Sequence, residues 1–366
     1  MRSQVVLIAA GGTGGHIYPA LAIAHALIAQ RPGLRVEFVG TRTGLENQLV
    51  PRDGFILHHV PVGKLNRNTR FGERFKTLLL LPWGLLRAAW LVFRMKPVLV
   101  LGVGGYVTGP VVLAAALLRR QSFLWEPNAH PGMANRWLAP FVAECLVVFD
   151  EAAKGLNSKR IFKVGMPVRA AIEAVGQSPT PTSAAPAALR VLIFGGSQGA
   201  RAINQVVATT IAHGGAWLEN VEFVHQTGPA DYERVAALYR ESQAKVEVKE
   251  YLHDMDRRYA WADVIIARSG TGTVSELAAC GKAAVLIPLP TAADNHQQRN
   301  AEALLHKEAA LMVLQRDFTP DRFEQLIVRF KTDRQIIDRL SVNIRQFHRP
   351  HADQEIAQHL LEAVRS

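Results

Sequence analysis

Twice in this chain an unbroken apolar run ends in a cluster of glycines and passes into a helical periodicity, and that repeated unit narrows the folds available to it. Residues 5–10 are apolar throughout, and Gly11-Gly12-Thr13-Gly14-Gly15-His16 follows them. A strand apolar on both faces must be covered on both faces, which is the condition of a parallel strand between two helix layers. A helix is expected over residues 18–30. The second half restarts the unit with a strand over 190–194, the loop Gly195-Gly196-Ser197-Gln198-Gly199 and a helix over 200–213. Further strands are expected at 35–39, 98–102, 122–126 and 145–149, then at 221–225, 246–251, 264–267 and 284–288.

A chain of 366 residues with 49% hydrophobic and 20% charged residues is globular and long enough for two ordinary domains. Residues 176–186 are rich in Pro, Ser, Thr and Ala and read as a linker. The expected layout is a first domain over 1–164, a hinge and linker over 165–189, a second domain over 190–345, and a C-terminal helix over 346–366 packing back on the first. Two doubly wound α/β domains joined in this way would bring two carboxyl-edge crevices face to face across a cleft, which suits two substrates. Cys145 and Cys280, the only cysteines, cannot build a disulfide framework or a zinc cluster and fit a reducing cytosol. The apolar run at 5–10 is too short for a membrane span and ends in glycines, not in a cleavage site.

Four loops are candidate phosphate cradles: residues 11–16, 102–109, 195–199 and Arg268-Ser269-Gly270-Thr271-Gly272-Thr273, the last before a helix starting near Val274. Glycine lets backbone N–H groups close on an oxyanion, and a following helix adds its positive end. A tight strand-to-helix turn needs glycine anyway, so one such loop decides little. Four after four apolar strands point to several phosphates. A dinucleotide site would want an acid at the end of the second strand. Glu37 instead sits mid-strand, and the first loop lacks G-x-G-x-x-G spacing. Asp254-Met255-Asp256 has the D-x-D form of a metal site but directly precedes a helical run, where a helix cap explains it. No metal is expected.

The formal charge is +11, and residues 64–96 carry +7 of it, with eight basic residues against Glu73 alone. Nothing there matches a nucleic-acid module, and aliphatic residues interleave the charges. A solvated basic face is the plain reading. However, residues 78–93 hold more apolar side chains than one helix face can bury, and arginines flank them. An anionic membrane surface explains both features, with Leu79, Leu80, Trp83, Arg87 and Trp90 at the headgroup boundary. Pro82, Gly84 and Arg87 break the run too often for it to span a bilayer.

The glycine motifs, with Gly104-Gly105-Tyr106-Val107-Thr108-Gly109-Pro110, Gly195 through Arg201, Arg268 through Glu276, and Asp294-Asn295-His296-Gln297-Gln298-Arg299-Asn300, resemble in order and spacing the UDP-N-acetylglucosamine–lipid I N-acetylglucosaminyltransferases of peptidoglycan synthesis. The resemblance implies the glycosyltransferase B fold, two Rossmann-like domains with the UDP-sugar held mainly by the second. It implies that Glu276 binds the ribose hydroxyls, and that the Tyr251-Leu252 backbone faces the uracil edge. Ser197, Arg169 and the helix start formed by Thr271, Gly272, Thr273, Val274 and Ser275 would hold the diphosphate. Gln297 and Gln298 would read the sugar, with Asn128, Thr13, Gly14 and Gly15 near the donor. The acceptor's diphosphate would lie on Gly14, Gly104, Gly105, Tyr106 and Thr108. His16 is the candidate general base, its near-neutral pKa suiting proton transfer, and Glu126 is the next in line. His16 as a helix cap or phosphate ligand stays open. Trp125, Pro127 and Met166 stand where the family has His, Gln and Asn.

The expected partners are UDP-N-acetylglucosamine, an undecaprenyl-diphosphate-linked acceptor, the anionic cytoplasmic face of the inner membrane and other cell-wall synthesis enzymes, without nucleic acid and without a cofactor. A UDP-sugar epimerase of the same fold would need no basic apolar patch. A glycolipid synthase with a diacylglycerol acceptor would need no second diphosphate site. A non-catalytic adaptor would have no need of an intact donor motif.

Overall fold

The computed structural model describes residues 4–63, 71–177 and 188–364, with backbone alone at 71–79. Most of the expected linker, the basic residues Lys64, Arg67 and Arg70, and the side chain of Leu79 therefore lie outside the described residues. The chain divides into two compact units, residues 1–167 with 351–366, and residues 168–350.

The first unit is a seven-stranded sheet: β1 (Val5–Ala10), β2 (Arg35–Gly40), β3 (Ile56–His59), β4 (Leu99–Gly104), β5 (Ser122–Glu126), β6 (Glu144–Val147) and β7 (Ile161–Lys163). The order is β3-β2-β1-β4-β5-β6-β7, with every neighbouring pair parallel. Its helices are α1 (Gly14–Gln30), α2 (Glu46–Arg52), α3 (Phe71–Met95), α4 (Thr108–Leu117), α5 (Met133–Leu138) and α6 (Asp150–Ala153).

The second unit carries α7 (Ala170–Gln177), α8 (Arg201–His213), α9 (Tyr232–Arg240), α10 (Met255–Trp261), α11 (Thr271–Cys280), α12 (His296–Leu305), α13 (Pro320–Thr332) and α14 (Gln335–Ile344). Its strands are β8 (Leu189–Phe194), β9 (Val221–Gln226), β10 (Lys245–Lys249), β11 (Val264–Ala267), β12 (Ala283–Leu286) and β13 (Leu311–Met312). They lie in the order β10-β9-β8-β11-β12-β13, again all parallel. The last helix, α15 (Ala352–Ala363), belongs to the first unit, where Ile356, Ala357 and Leu360 share a core with Ile17 and Leu27 of α1.

The apolar run of residues 5–10 is buried on both faces. Val6, Ile8 and Ala10 enter the core beneath α1 and α15, while Leu7 and Ala9 enter the core beneath α3 and α4. That two-sided burial is why β1 shows no polar alternation.

Both sheets reverse direction of growth once, between β1 and β4 and between β8 and β11. A crevice opens at the carboxyl ends of the strands at such a switch point, and ligands of open α/β sheets bind there. All four glycine loops follow these four strands. Two of the helices that follow start earlier than the apolar periodicity indicates: α1 begins at Gly14 and α11 at Thr271. The glycines and threonines of a first turn carry no apolar stripe, so periodicity cannot see them. The strands β3, β7 and β13 went unread because they are short sheet-side pieces of four, three and two residues. The apolar basic segment forms one continuous helix, α3, with Pro82 inside it.

Candidate functional site

In the first unit the two glycine loops are interlocked through backbone. Gly105 lies at φ +81, and a Cβ there would fall on the Gly11 carbonyl. Gly104, at φ +136, leaves room only for the imidazole of His16, whose Nε2 would stand 2.7 Å from a Cβ at that position. His16 sits half-buried in the first turn of α1, its N–H bonded to the Thr13 carbonyl at 3.1 Å. Thr13 and Gly15 are exposed beside it, and Gly14 packs against Tyr18. Tyr106 is half-buried, and burial pushes its phenol pKa up. Thr108 departs from its expected role. It is fully buried, and its hydroxyl accepts from Gly104 N–H at 3.1 Å while facing the Gly104 and Ala9 carbonyls. It shapes the loop and has no hydroxyl to spare for a phosphate.

Glu126, second choice as a base, is corrected by its surroundings. The side chain is 2% exposed. One carboxylate oxygen accepts from the backbone and side-chain nitrogens of Asn128 at 3.0 and 3.2 Å, and the other from Gly132 N–H at 2.8 Å and Asn135 Nδ2 at 2.9 Å. Burial pushes this carboxyl up, and the four donors pull it back. Burial outweighs the donors, so the carboxyl stays above its ordinary range, and all four of these hydrogen bonds are donated to it. A base must reach a substrate proton with an open lone pair. Glu126 instead clamps the loop after β5, and Asn128 is part of that clamp.

A second buried carboxylate went unread. Glu46, at the start of α2, accepts from Gly12 N–H at 3.0 Å and from Thr41 N–H and Oγ1 at 2.8 and 2.7 Å. It fixes the glycine loop from behind. Gly44 and Gly40 leave it room, since a Cβ on either would strike its side chain. Gly40, Gly44 and Glu46 in close succession were the available signal.

In the second unit Gly199, at φ +75, packs on the Thr227 carbonyl, and Gly228, at φ +78, packs on Gln198. Ser197 stands exposed at the tip of that loop. The Thr227 carbonyl is held by Asn204 Nδ2 at 2.8 Å, and the same nitrogen donates to Asp231 at 2.9 Å. Asn204 Oδ1 must therefore receive a proton from His225 Nε2, 3.1 Å away, and His225 Nδ1 accepts from Tyr239 OH at 2.7 Å. Burial drives the His225 pKa down to about 3, so this histidine is neutral.

The other switch-point loop leads into α11. Arg268 does not face a ligand. It donates to the Ile287 and Pro288 carbonyls at 3.0 Å and to Gln315, with burial lowering its pKa to about 10. Val274 is also corrected, because its N–H is already bonded to the Gly270 carbonyl at 3.0 Å and its side chain is buried. Ser275 is likewise buried one residue further along the helix. The first turn of α11 at Gly272 and Thr273 is where N–H groups of a helix N-terminus can meet an anion.

Glu276, on α11, accepts from Arg169 Nη2 at 3.1 Å on one oxygen and from Tyr259 OH at 2.9 Å on the other. Arg169 thus meets the ribose carboxylate of the expected donor site. Leu252 is buried, and its N–H is taken by Gln226 Oε1 at 2.9 Å, so that N–H does not face a base edge. Gln226 also donates to the Gly196 carbonyl at 3.0 Å, tying the two loops together. Gln297 accepts from Leu289 N–H at 3.0 Å, and Gln298 turns along α12 to Glu302 at 2.9 Å. Asp294 and Asn295 precede α12 with φ of 50 and 53. Two successive left-handed non-glycine residues store strain of a kind that concentrates at functional loops.

Residues 6–147 match the glycosyltransferase family 28 N-terminal domain, and residues 190–355 match the family's C-terminal domain. This chain belongs to glycosyltransferase family 28. A family relative, the UDP-N-acetylglucosamine--N-acetylmuramyl-(pentapeptide) pyrophosphoryl-undecaprenol N-acetylglucosamine transferase of Bdellovibrio bacteriovorus, is 44% identical over 357 residues, which cover 98% of each chain. A protein of the same description from an Anaeromyxobacter species is 38% identical, over 98% of this chain and 93% of its own. The solved structure of MurG from Acinetobacter baumannii superposes with a TM-score of 0.81 at 30% identity, covering 98% of this chain and 99% of that one. A UDP-N-acetylglucosamine 2-epimerase, 15% identical with a TM-score of 0.61 over 99% of this chain and 95% of its own, shares the fold alone. The two Rossmann-like sheets are those of the glycosyltransferase B fold, and the resemblance read from the glycine motifs holds.

Two of the positions at which the sequence departs from the resemblance fall in the interior. Trp125 and Met166 are buried in one core with Phe123 and Val164, so apolar packing occupies those positions. On α3 the buried line is Ala88, Leu91 and Val92, while Leu80, Trp83, Trp90 and Phe93 are exposed. Arg87 and Arg94 lie over the Trp90 ring, 4.4 and 5.3 Å from its centre. Among the described residues no helix is long and apolar enough to cross a membrane.

Proposed function

We propose that this family 28 glycosyltransferase moves N-acetylglucosamine from UDP-N-acetylglucosamine to the 4-hydroxyl of N-acetylmuramyl-(pentapeptide) pyrophosphoryl-undecaprenol, with inversion at the anomeric carbon and release of UDP. The observation that carries the reading is the pairing, on one helix, of an N-terminal turn that follows a glycine loop and a switch-point strand with the carboxylate of Glu276 about one turn on. The first suits a diphosphate and the second a ribose diol. The second unit therefore takes the UDP, with exposed Ser197 as a further phosphate donor and Gln297 on the sugar.

The acceptor belongs to the first unit, where the loops at Gly14 and Gly104 supply backbone N–H groups for its diphosphate. The acceptor oxygen forms the new bond to the anomeric carbon as the bond to UDP breaks. His16 receives the acceptor's proton, and the α11 N-terminus stabilises the charge growing on the leaving diphosphate. No cofactor takes part. The exposed aromatic and basic face of α3 holds the protein at the anionic cytoplasmic face of the membrane, where the acceptor's lipid resides.

The test is incubation of purified protein with labelled UDP-N-acetylglucosamine and three acceptors: the undecaprenyl-linked muramyl-pentapeptide, its dephosphorylated analogue and diacylglycerol. Transfer to the first alone is expected. Labelled UDP-N-acetylmannosamine without an acceptor, or a glycosylated diacylglycerol, overturns the assignment.

A further inference from the structure

We propose that Tyr259 is the positioning residue that gives Glu276 its selectivity for a ribose diol. The inference rests on the donor reading above and extends it to a side chain that never meets the nucleotide. Tyr259 lies in the last turn of α10, its ring fully buried and in edge contact with Phe194 of β8, with centroids 6.2 Å apart. Its hydroxyl donates to Glu276 Oε2 at 2.9 Å. Burial beside this carboxylate holds the phenol protonated far above neutral pH, so it acts only as a donor here.

The opposite oxygen of Glu276 receives Arg169 Nη2 at 3.1 Å, from a side chain 63% exposed. A pair that open to water is weak and mobile. The buried phenol is the fixed partner. A carboxylate offers about four lone-pair sites, two on each oxygen. One on each is engaged, which leaves one on each, and two acceptors are what two neighbouring hydroxyls require. Without the phenol the carboxylate is free to turn both oxygens toward Arg169 in the bidentate geometry that guanidinium favours, and the diol then loses an acceptor.

Tyr259→Phe removes one oxygen and keeps the ring, so the core retains its packing. The experiment is calorimetric titration of wild type and Tyr259→Phe with UDP and with 2′-deoxyUDP, alongside the melting temperature of each protein. Wild type is expected to favour UDP. In Tyr259→Phe the affinity for UDP is expected to fall about 3–10-fold, with 2′-deoxyUDP changed by less than about twofold, so that discrimination collapses. Equal losses for both nucleotides, or a lower melting temperature with the ratio intact, would show a merely structural tyrosine and overturn the inference. A wild type that does not separate the two nucleotides overturns the donor assignment of Glu276 itself.

Discussion

The imidazole of His16 and the backbone of Gly104 occupy adjoining space so closely that no side chain larger than hydrogen fits on residue 104. Gly104 also sits at φ +136, where an L side chain is strained. The two effects make Gly104→Ala a probe that displaces the histidine and also disturbs the loop proposed to hold the acceptor's diphosphate. It is expected to lower kcat by a factor approaching that of His16→Ala, about 10²–10⁴ for loss of a general base. UDP affinity should stay unchanged, because Gly104 belongs to the first unit. The double variant should be little worse than either single one, since both remove the same function. Steady-state kinetics and a UDP titration of the three variants check this.

The buried clamp at Glu126 leads to the opposite expectation. Glu126→Gln places an NH2 group against N–H donors that need an acceptor. Leaving buried donors unsatisfied costs about 1–3 kcal/mol, so the urea midpoint should fall accordingly. The pH dependence of kcat should keep its shape. Loss of the acidic limb of that profile, where a catalytic base takes up its proton and activity falls, would return Glu126 to the role of base.

How far the sequence discloses the site depends on what kind of side chain is asked about. Residues 5–10 declare a doubly buried strand because every position is apolar, and the glycine loops declare turns because only glycine takes their conformations. Glu276 stands out as a proposed diol acceptor because its motif is local. Tyr259 is not, since its partner lies 17 residues away on another helix and nothing in Arg257-Arg258-Tyr259 announces a hydrogen bond. Glu46 and Glu126 are hidden for a related reason. A carboxylate that braces a loop and one that takes a proton have the same letter, and only the count of donors around each oxygen separates them.

His225 ties acid stability to the loop at Gly199. Its pKa is near 6.5 unfolded and about 3 folded. Between those values the unfolded chain binds a proton that the folded chain refuses, so stability rises with pH across this window. The contribution is complete above about pH 6.5 and is lost progressively as pH falls toward 3. Urea midpoints of the wild type should drop between pH 7.5 and pH 5, and His225→Gln should flatten that slope. An equal slope in both proteins would assign the acid sensitivity elsewhere.

Transfer is expected to persist in excess EDTA. Asp254, the first acid of the D-x-D-like triplet, stands at the cap of α10 with its oxygen on Arg258 Nε at 3.0 Å, and Arg258 also holds Glu247 at 2.6 and 2.8 Å. A carboxylate engaged in this way is a poor start for a cation site. Activity abolished by the chelator and restored by magnesium or manganese would contradict this.

The face of α3 should separate two modes of membrane attachment. Trp83 and Phe93 are 66% and 65% exposed, and Trp90 carries Arg87 and Arg94 against its ring. The arginines supply attraction to an anionic leaflet, about 1 kcal/mol for each near the surface, and salt screens that attraction. The aromatic side chains supply insertion at the headgroup boundary, which salt does not screen. Arg87→Glu with Arg94→Glu should therefore lower vesicle binding mostly at low ionic strength. Trp83→Ala with Phe93→Ala should remove the part that survives high salt. Both pairs should spare UDP affinity, because α3 lies in the first unit and the residues proposed to hold UDP in the second. Co-sedimentation with anionic and neutral vesicles at two salt concentrations reads all four combinations. If both pairs bind like wild type, the exposed aromatics of α3 are ordinary surface, and attachment must come from another face or from the lipid acceptor alone.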